Sequence, residues 1–327
     1  MREHPTATAA PAAPPTPASP AGGTPRWVGV DVGGTKTHVA ALREGGERSD
    51  VVVASADWRR GELFGDPRGN LARLAALITR TAAPGPGTTT TVGAHGCDSP
   101  AQVEHAGRAL AALLPGRVRV VNDAALLGPA AGVGECLQLV LGTGAVALGA
   151  TADGRRVRVG GHGWLLDDHG SAPGLVREAF TAVLRRDDRG LPLDSFGRAL
   201  AAEFRAPGVP ELALAFAQEA SESRWGSLAP LVFEHAAAGA PTARRAVSSA
   251  VAAVVEGLQA LVRRGAAGRT VVAAGGVVVG QPVVQEALRA ALAERLPGLA
   301  LVVLERPPVD GALALSLSSS PPSPSRG

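Results

Sequence analysis

Lysine is almost missing from this chain: among 32 basic residues only Lys36 is a lysine, and the rest are arginines. Set against 29 acidic residues, they leave a net charge of +3, too small a surplus for an electrostatic footprint on nucleic acid. The pI near 9.6 reflects arginine, which keeps its charge at any workable pH. Arginine pairs at Arg59-Arg60, Arg155-Arg156, Arg185-Arg186, Arg244-Arg245 and Arg263-Arg264 are scattered, without interleaved aromatic residues, and read as solvated faces. Only two cysteines occur, Cys97 and Cys136, which excludes a disulfide framework and a Cys-rich zinc site. Met1-Arg2-Glu3-His4-Pro5 has no apolar core of signal-peptide type, and no uninterrupted apolar run reaches the ~18 residues of a membrane span. The expectation is a soluble cytoplasmic protein with neither membrane nor nucleic acid as partner.

What is present is enough for two ordinary domains: 327 residues, 46% hydrophobic and 19% charged. Residues 1–25 are Ala, Pro, Thr and Gly without periodicity, and 318–327 form a Ser/Pro tail. Neither buries enough apolar surface to offset its ordering entropy. Between them strand and helix patterns alternate. Strands are predicted at 27–32, 37–42, 51–54, 88–92 and 118–121. Helices fall at 70–81, with Asn70 as N-cap, and at 102–114. A second round begins after Ala125, with strands at 136–141, 145–150 and 157–159 and helices at 175–184, 196–204, 211–219 and 242–264. A strand at 270–274, a helix at 282–296 and a strand at 299–304 complete it. Two α/β units, each opening strand–glycine turn–strand, predict a duplicated architecture of mixed sheets flanked by helices, with a cleft between the halves.

Five motifs carry chemistry. Asp31-Val32-Gly33-Gly34-Thr35-Lys36-Thr37 joins two strands. Its paired glycines let backbone N–H groups approach a phosphate, Thr35 and Thr37 add hydroxyls, and Asp31 suits a hydrated Mg²⁺. It is not a P-loop, because Thr-Lys follows Gly34 and a strand follows in turn. Gly142-Thr143-Gly144 repeats the strand–turn–strand setting, so two glycine turns can close on a polyphosphate from opposite sides. Asn122-Asp123 ends a strand at the junction of the halves, where Asp123 can take the proton of an alcohol during phosphoryl transfer, or simply cap the next helix. The run from Gly160 to Ser171, Gly-Gly-His-Gly-Trp-Leu-Leu-Asp-Asp-His-Gly-Ser, fits a binding loop with carboxylates for sugar hydroxyls. Gly275-Gly276 ends a buried strand and suits either close approach of an adenine ring or a plain strand–helix turn. No HExxH, GxSxG or post-strand GxGxxG occurs, so zincin, serine-hydrolase and dinucleotide-dehydrogenase chemistry lose support.

In this order and spacing, over residues 26 to 317, the motifs resemble the superfamily that joins sugar kinases, actin and the heat-shock chaperones. The Gly160–Ser171 loop is similar to that of the BadF/BadG/BcrA/BcrD ATPase family, specifically its N-acetylglucosamine kinases, whose loop runs Gly-Gly-Trp-Gly and then Gly-Asp-Glu-Gly-Ser. The opening Asp-Val-Gly-Gly-Thr-Lys also resembles ROK sugar kinases, but their Cys-rich zinc motif is missing. The resemblance implies two ribonuclease-H-like (actin-like ATPase) domains, at 26–126 and 127–307, with a terminal helix at 308–317 returning to the first. They would close over ATP, Mg²⁺ and a sugar, usually in a homodimer. It implies phosphate contacts from Gly33, Gly34, Thr35, Lys36, Gly142, Thr143 and Gly144, adenosine contacts from Gly275 and Gly276, and a metal held through water by Asp31. Asp123 would deprotonate the sugar 6-hydroxyl, and His95, Gly96, Asp98, His162 and Asp168 would face the sugar.

Three residues depart from the family loop: His162 replaces Trp, Asp167 replaces Gly, and His169 replaces Glu. His169 removes a negative charge from the sugar side, which favours the neutral N-acetylated sugar over glucosamine as acceptor; Asp167 pulls the other way. Two further classes compare less well. An activator ATPase with an iron–sulfur cluster needs cysteines in a Cys-Ala-Ala-Gly-Thr-Gly setting that this chain lacks, and a sugar-sensing regulator needs a DNA-binding segment.

Overall fold

The computed structural model describes residues 23–319; positions 1–22 and 320–327, which hold most of both expected tails, lie outside the described residues. Where tail and fold overlap, the fold extends further than composition suggests. Pro25 is buried, and its carbonyl accepts a hydrogen bond from Thr88 Oγ1 at 2.6 Å.

The first half contains β1 (Trp27–Val32), β2 (Lys36–Leu42), β3 (Arg48–Ala54), α1 (Pro67–Ala82), β4 (Thr89–Ala94), α2 (Pro100–Leu113) and β5 (Arg117–Asn122). A 3₁₀ turn at Asp123–Leu126 and the short α3 (Leu127–Ala131) lead into the second half. That half opens with β6 (Leu137–Leu141), β7 (Ala145–Ala150) and β8 (Arg156–Gly160). Six helices follow: α4 (Ala172–Asp187), α5 (Ser195–Glu203), α6 (Val209–Gln218), α7 (Glu222–Ser227), α8 (Ala229–Ala237) and α9 (Pro241–Arg263). Then come β9 (Thr270–Ala274), α10 (Gly276–Gly280), α11 (Pro282–Arg295), β10 (Ala300–Val303) and α12 (Val309–Ser318).

The two sheets share one topology. The first runs β3-β2-β1-β4-β5 and the second β8-β7-β6-β9-β10, each a three-stranded antiparallel meander extended by two parallel strands. This is the predicted α/β duplication. Every residue of β4 is buried, as expected for a strand with neighbours on both edges and helices over both faces.

Local chemistry explains where the sequence reading slips. Helix α1 starts three residues before Asn70, because Asp66 accepts the Gly69 N–H at 3.0 Å and Pro67 occupies the first turn. Asn70 is buried instead, bonding the Arg60 N–H and the Arg60, Glu62 and Leu63 carbonyls. Helices α7 and α8 have no strong periodicity; α7 is held by Trp225, which stacks on Phe216 at 4.3 Å and meets Trp164 edge-on at 5.1 Å. Among the described residues α9 is the one helix long and apolar enough to cross a membrane, but Ala246, Val255 and Leu258 belong to the core of the second half. At the far end α12 returns to the first sheet. Ser316 Oγ donates to the Val28 carbonyl (3.0 Å) and bonds Thr91 Oγ1 (2.8 Å). Gly29 is required there, since a Cβ would sit 2.9 Å from backbone atoms of Val309 and Leu313.

Candidate active site

Strand register gathers the chemistry of the first half at one sheet edge. Asp31 lies opposite Gly93, Val32 opposite Ala94, and Ala94 opposite Asn122, so β1, β4 and β5 deliver Asp31, His95 and Asp123 to the same end. The His95 N–H donates to the Val32 carbonyl at 2.8 Å, and Gly96, at φ +85°, turns the chain away. Carboxyl ends of parallel strands are where open α/β folds bind ligands.

The capping reading of Asp123 is answered by its neighbour. Asn122 caps the 3₁₀ turn, its Oδ1 accepting from the Ala124 N–H at 3.0 Å. Asp123 Oδ1 also receives that N–H, which leaves Oδ2 facing His95 Nδ1 at 3.4 Å. The hydrogen bond to Asp123 raises the His95 pKa above its ordinary value, against the opposing effect of burial. Asp31 is pushed up to about 7, first by desolvation and then by the Asp123 charge, with Lys36 opposing. A carboxylate whose proton affinity is raised by the charge of a second forms with it a donor set suited to a divalent cation, and Mg²⁺ needs no more than one or two.

Gly33 closes the first glycine turn by donating to the Lys36 carbonyl at 2.9 Å, while Gly34, Thr35 and Lys36 are exposed. Thr37 is a correction. It is fully buried, bonded to Ser55 Oγ (3.0 Å) and to Trp58 Nε1 (3.0 Å), so its hydroxyl is not free for a phosphate. Ser55 Oγ donates to the Gly33 carbonyl and Arg59 Nη2 to the Gly34 carbonyl, strapping the turn from behind. Arg59 Nη1 is buried without a partner, a cationic donor left over beside the glycine pair.

The second half repeats the arrangement. Val140 lies opposite Ala274, and the Gly142 N–H donates to the Gly144 carbonyl at 2.9 Å. Gly142 to Gly144 and Gly275-Gly276 are packed on one another, with Gly275 at φ +105° against Leu141. Asp168, only 6% exposed and at φ +47°, approaches Gly144, where a Cβ would lie 3.3 Å from its Oδ2. Its Oδ1 is buried without a partner. Burial raises its pKa, opposed by the N–H groups of Ala145 and Gly163. Arg177 of α4 holds the loop by its carbonyls, donating to Trp164, to Leu165 at 3.0 Å and to Asp167 at 2.8 Å.

The loop's departures from the family pattern fall differently from expectation. His162 is exposed, with its backbone N–H donating to Asp167 Oδ2 at 3.4 Å. His169 is tied to α4, with Nδ1 at 3.3 Å from Glu178 Oε1 and 3.4 Å from Arg177 Nη2. Its ring is therefore engaged by Glu178 and Arg177. Glu222, in the first turn of α7, adds a carboxylate near enough to Asp168 to feel its charge. Burial, then Asp168 and Glu62, raise its pKa, with His95 opposing. A six-residue helix gives no periodic signal, so Glu222 escapes a motif search, as does Glu62 just ahead of a 3₁₀ turn.

Arg158 is a further residue that sequence reasoning missed. From β8 its guanidinium donates to the carbonyls of Gly160 (3.2 Å) and Gly161, and Nη1 reaches Asp98 Oδ2 of the first half at 3.3 Å. Asp98 Oδ1 accepts from Asn122 Nδ2 at 3.2 Å. Asp98, expected to face sugar, is thus engaged across the cleft. If this clasp sets the spacing of the two halves, Arg158→Gln raises acceptor KM several-fold while leaving the KM for ATP within about twofold, a split that steady-state kinetics reads directly. Equal changes in both constants would remove Arg158 from the acceptor side. The cysteines take no part: Cys97 is fully buried, its thiol pushed up to about 12 by burial, and Cys136, just ahead of β6, is buried in another cluster.

Two duplicated α/β halves with glycine turns at matching strand ends define the actin-like ATPase fold, which ATP-dependent sugar kinases share. The chain belongs to the BadF/BadG/BcrA/BcrD ATPase family, whose sequence model matches residues 28–315. It is similar in structure to a provisionally assigned N-acetylglucosamine kinase from Chromobacterium violaceum, at TM-score 0.65 and 22% identity over 90% of this chain and 99% of the other. A second provisionally assigned N-acetylglucosamine kinase, from Porphyromonas gingivalis, gives TM-score 0.64 and 20% identity over 89% and 98%. A ROK family glucokinase from Streptomyces griseus, solved with glucose and AMPPNP, gives 0.55 and 19% over 89% and 98%. No curated protein matches the sequence.

Proposed function

We propose that this protein transfers the γ-phosphoryl group of ATP to the 6-hydroxyl of an amino sugar, with N-acetylglucosamine as acceptor. The observation that carries the reading is Asp168: a buried carboxylate with one oxygen lacking a partner, set beside the second glycine turn. An ionised carboxylate there accepts a hydroxyl hydrogen bond strongly, and a sugar supplies that donor. Residues 26–126 and 127–307 act as two lobes. Gly33, Gly34, Thr35 and Lys36, joined by Arg59, hold phosphates from one side, and Gly142, Thr143 and Gly144 from the other. Gly275 and Gly276 receive the adenosine. Asp31 holds Mg²⁺ through water, and the cation supplies charge neutralisation at the phosphates when bound.

In the reaction Asp123 Oδ2 accepts the proton of the acceptor hydroxyl as its oxygen bonds to the γ-phosphorus. The bond to the β-phosphate oxygen breaks, and ADP leaves. His95, Gly96 and His162 border the acceptor. Glu222 favours a second reading, glucosamine, because an acid near Asp168 attracts a protonated 2-amino group. An ADP-release assay with N-acetylglucosamine, glucosamine and other hexoses separates the two. The expected result is turnover of N-acetylglucosamine, with Asp168→Ala raising its KM and lowering kcat. Turnover of glucosamine alone replaces the acceptor, and no sugar-stimulated release with any member overturns the kinase reading.

The His95–Asp123 contact gives a pH dependence. His95 also feels Glu62 and Asp98, all acids that hold its proton. Below its raised pKa the imidazolium donates to Asp123 and weakens the base; above it Asp123 is released. The kcat/KM profile should therefore rise with pH through a midpoint above 6.5, and His95→Asn should abolish that limb. The same pair stabilises the fold fully below the unfolded histidine value and loses this contribution as pH climbs through the folded one.

A further inference from the structure

One of the arginine pairs that read as scattered solvated faces meets a member of another in the fold. Arg185 and Arg186 in the last turn of α4, Arg189 just beyond it, and Arg245 in the second turn of α9 line one cavity of about 260 Å³, with Ser249 on its wall. Glu178, in its lining, is already engaged by His169 at 3.3 Å and Arg177 at 3.8 Å, and Asp194, whose carboxylate feels the Arg186 charge, accepts from the N–H and hydroxyl of Thr242 on the wall. Arg186 Nε donates to the Pro192 carbonyl at 2.6 Å, which fixes its guanidinium in place. Among the described residues none of Arg185, Arg189 and Arg245 has a carboxylate within ion-pair distance. Arg244 is turned elsewhere, its Nε donating to the Ala236 carbonyl at 3.2 Å.

Helix stability does not account for this grouping. Cations in a last helical turn offset the dipole, which explains Arg185 and Arg186. Arg189 lies past the end of α4, and Arg245 lies near the end of α9 where the dipole favours anions. Grouped guanidiniums repel until an anion lies between them, and their planar forks match the oxygens of a phosphate in pairs. The cavity is smaller than the 300–1,000 Å³ of drug-sized ligand sites, which suits one phosphoryl group with a small appendage.

We infer that this cavity is a binding site for a phosphate dianion, free or as a small monoester, distinct from the glycine turns. It does not depend on the kinase reading. Helix α4 connects it to the Asp168 loop, since Ser171 caps the helix and Glu178 holds His169.

The test is calorimetric titration of the full chain with inorganic phosphate and with glycerol phosphate, AMPPNP and Mg²⁺ being present throughout to fill the glycine turns. The wild type should bind at least tenfold more tightly than Arg185→Gln/Arg189→Gln/Arg245→Gln, and Arg244→Gln should match the wild type. Affinity should fall as salt rises. Tighter binding of glycerol phosphate identifies an ester as the ligand, and equal binding identifies the phosphate group alone. The triple variant should keep its melting temperature and basal ATP turnover. Should it melt early, Arg245→Lys, which keeps the charge and loses the fork, should bind several-fold more weakly. Equal affinity in wild type and variants, or no binding in the millimolar range, overturns the site.

Discussion

Replacing Asp123 by Asn should lower kcat by roughly 10² or more, the contribution typical of a positioned general base, with ATP binding little changed. The substitution keeps the shape and removes the basic oxygen that faces His95. Two accompanying shifts make the result specific. Asp31 loses the charge that helps push it up to about 7, so its titration moves back toward the ordinary carboxylate range. His95 loses its main stabilising partner, and its pKa falls. Both titrations are visible by NMR without any substrate. Wild-type turnover in this variant would reassign the base; unchanged titrations would show that Asp123 does not sit among these groups.

Gly275→Ala should be the most damaging single methyl in the second half. At φ +105° a side chain is strained whatever the space, and here a Cβ would overlap the Leu141 carbonyl, 2.6 Å from its carbon and 3.0 Å from Gly142 N. Strained backbone and overpacking together cost about 2–6 kcal/mol. The displaced atoms belong to the second glycine turn, so affinity for AMPPNP should fall together with the melting temperature. Gly276→Ala is the control for stability alone, because a Cβ there meets no protein atom within 4 Å, and its melting temperature should hold. A Gly275→Ala protein with normal melting and normal nucleotide affinity would contradict the close packing of the two motifs.

The duplicated fold was legible because each half opens on an apolar strand that ends in glycines, a pattern that needs only neighbours in sequence. The runs that hold Asp31, Asp123, Asp168 and the glycine turns were singled out as candidates in the same way. Arg158, Arg59 and Glu222 were not, because what distinguishes them is a partner far along the chain. Arg158 meets Asp98 across the cleft, Arg59 strengthens a turn twenty-five residues earlier, and Glu222 is carried on a single helical turn. Asn70 and Thr37 show the converse error. Each has the right chemistry for a cap or a phosphate donor, and each is buried where that chemistry serves the protein's own backbone and side chains.

The return of α12 to the first sheet also bears on the order in which the molecule folds. Val28 and Thr91 wait for Ser316, 288 and 225 positions later, and Leu126 for Ala312. During synthesis the first half therefore emerges with one face of β1 and β4 uncovered, and the whole second half follows before the segment that closes it. Such distant pairing is slow, and the waiting surface is apolar. A nascent chain stalled between the halves should be a substrate for holding chaperones, whereas release of residues 309–318 lets the first half complete its core.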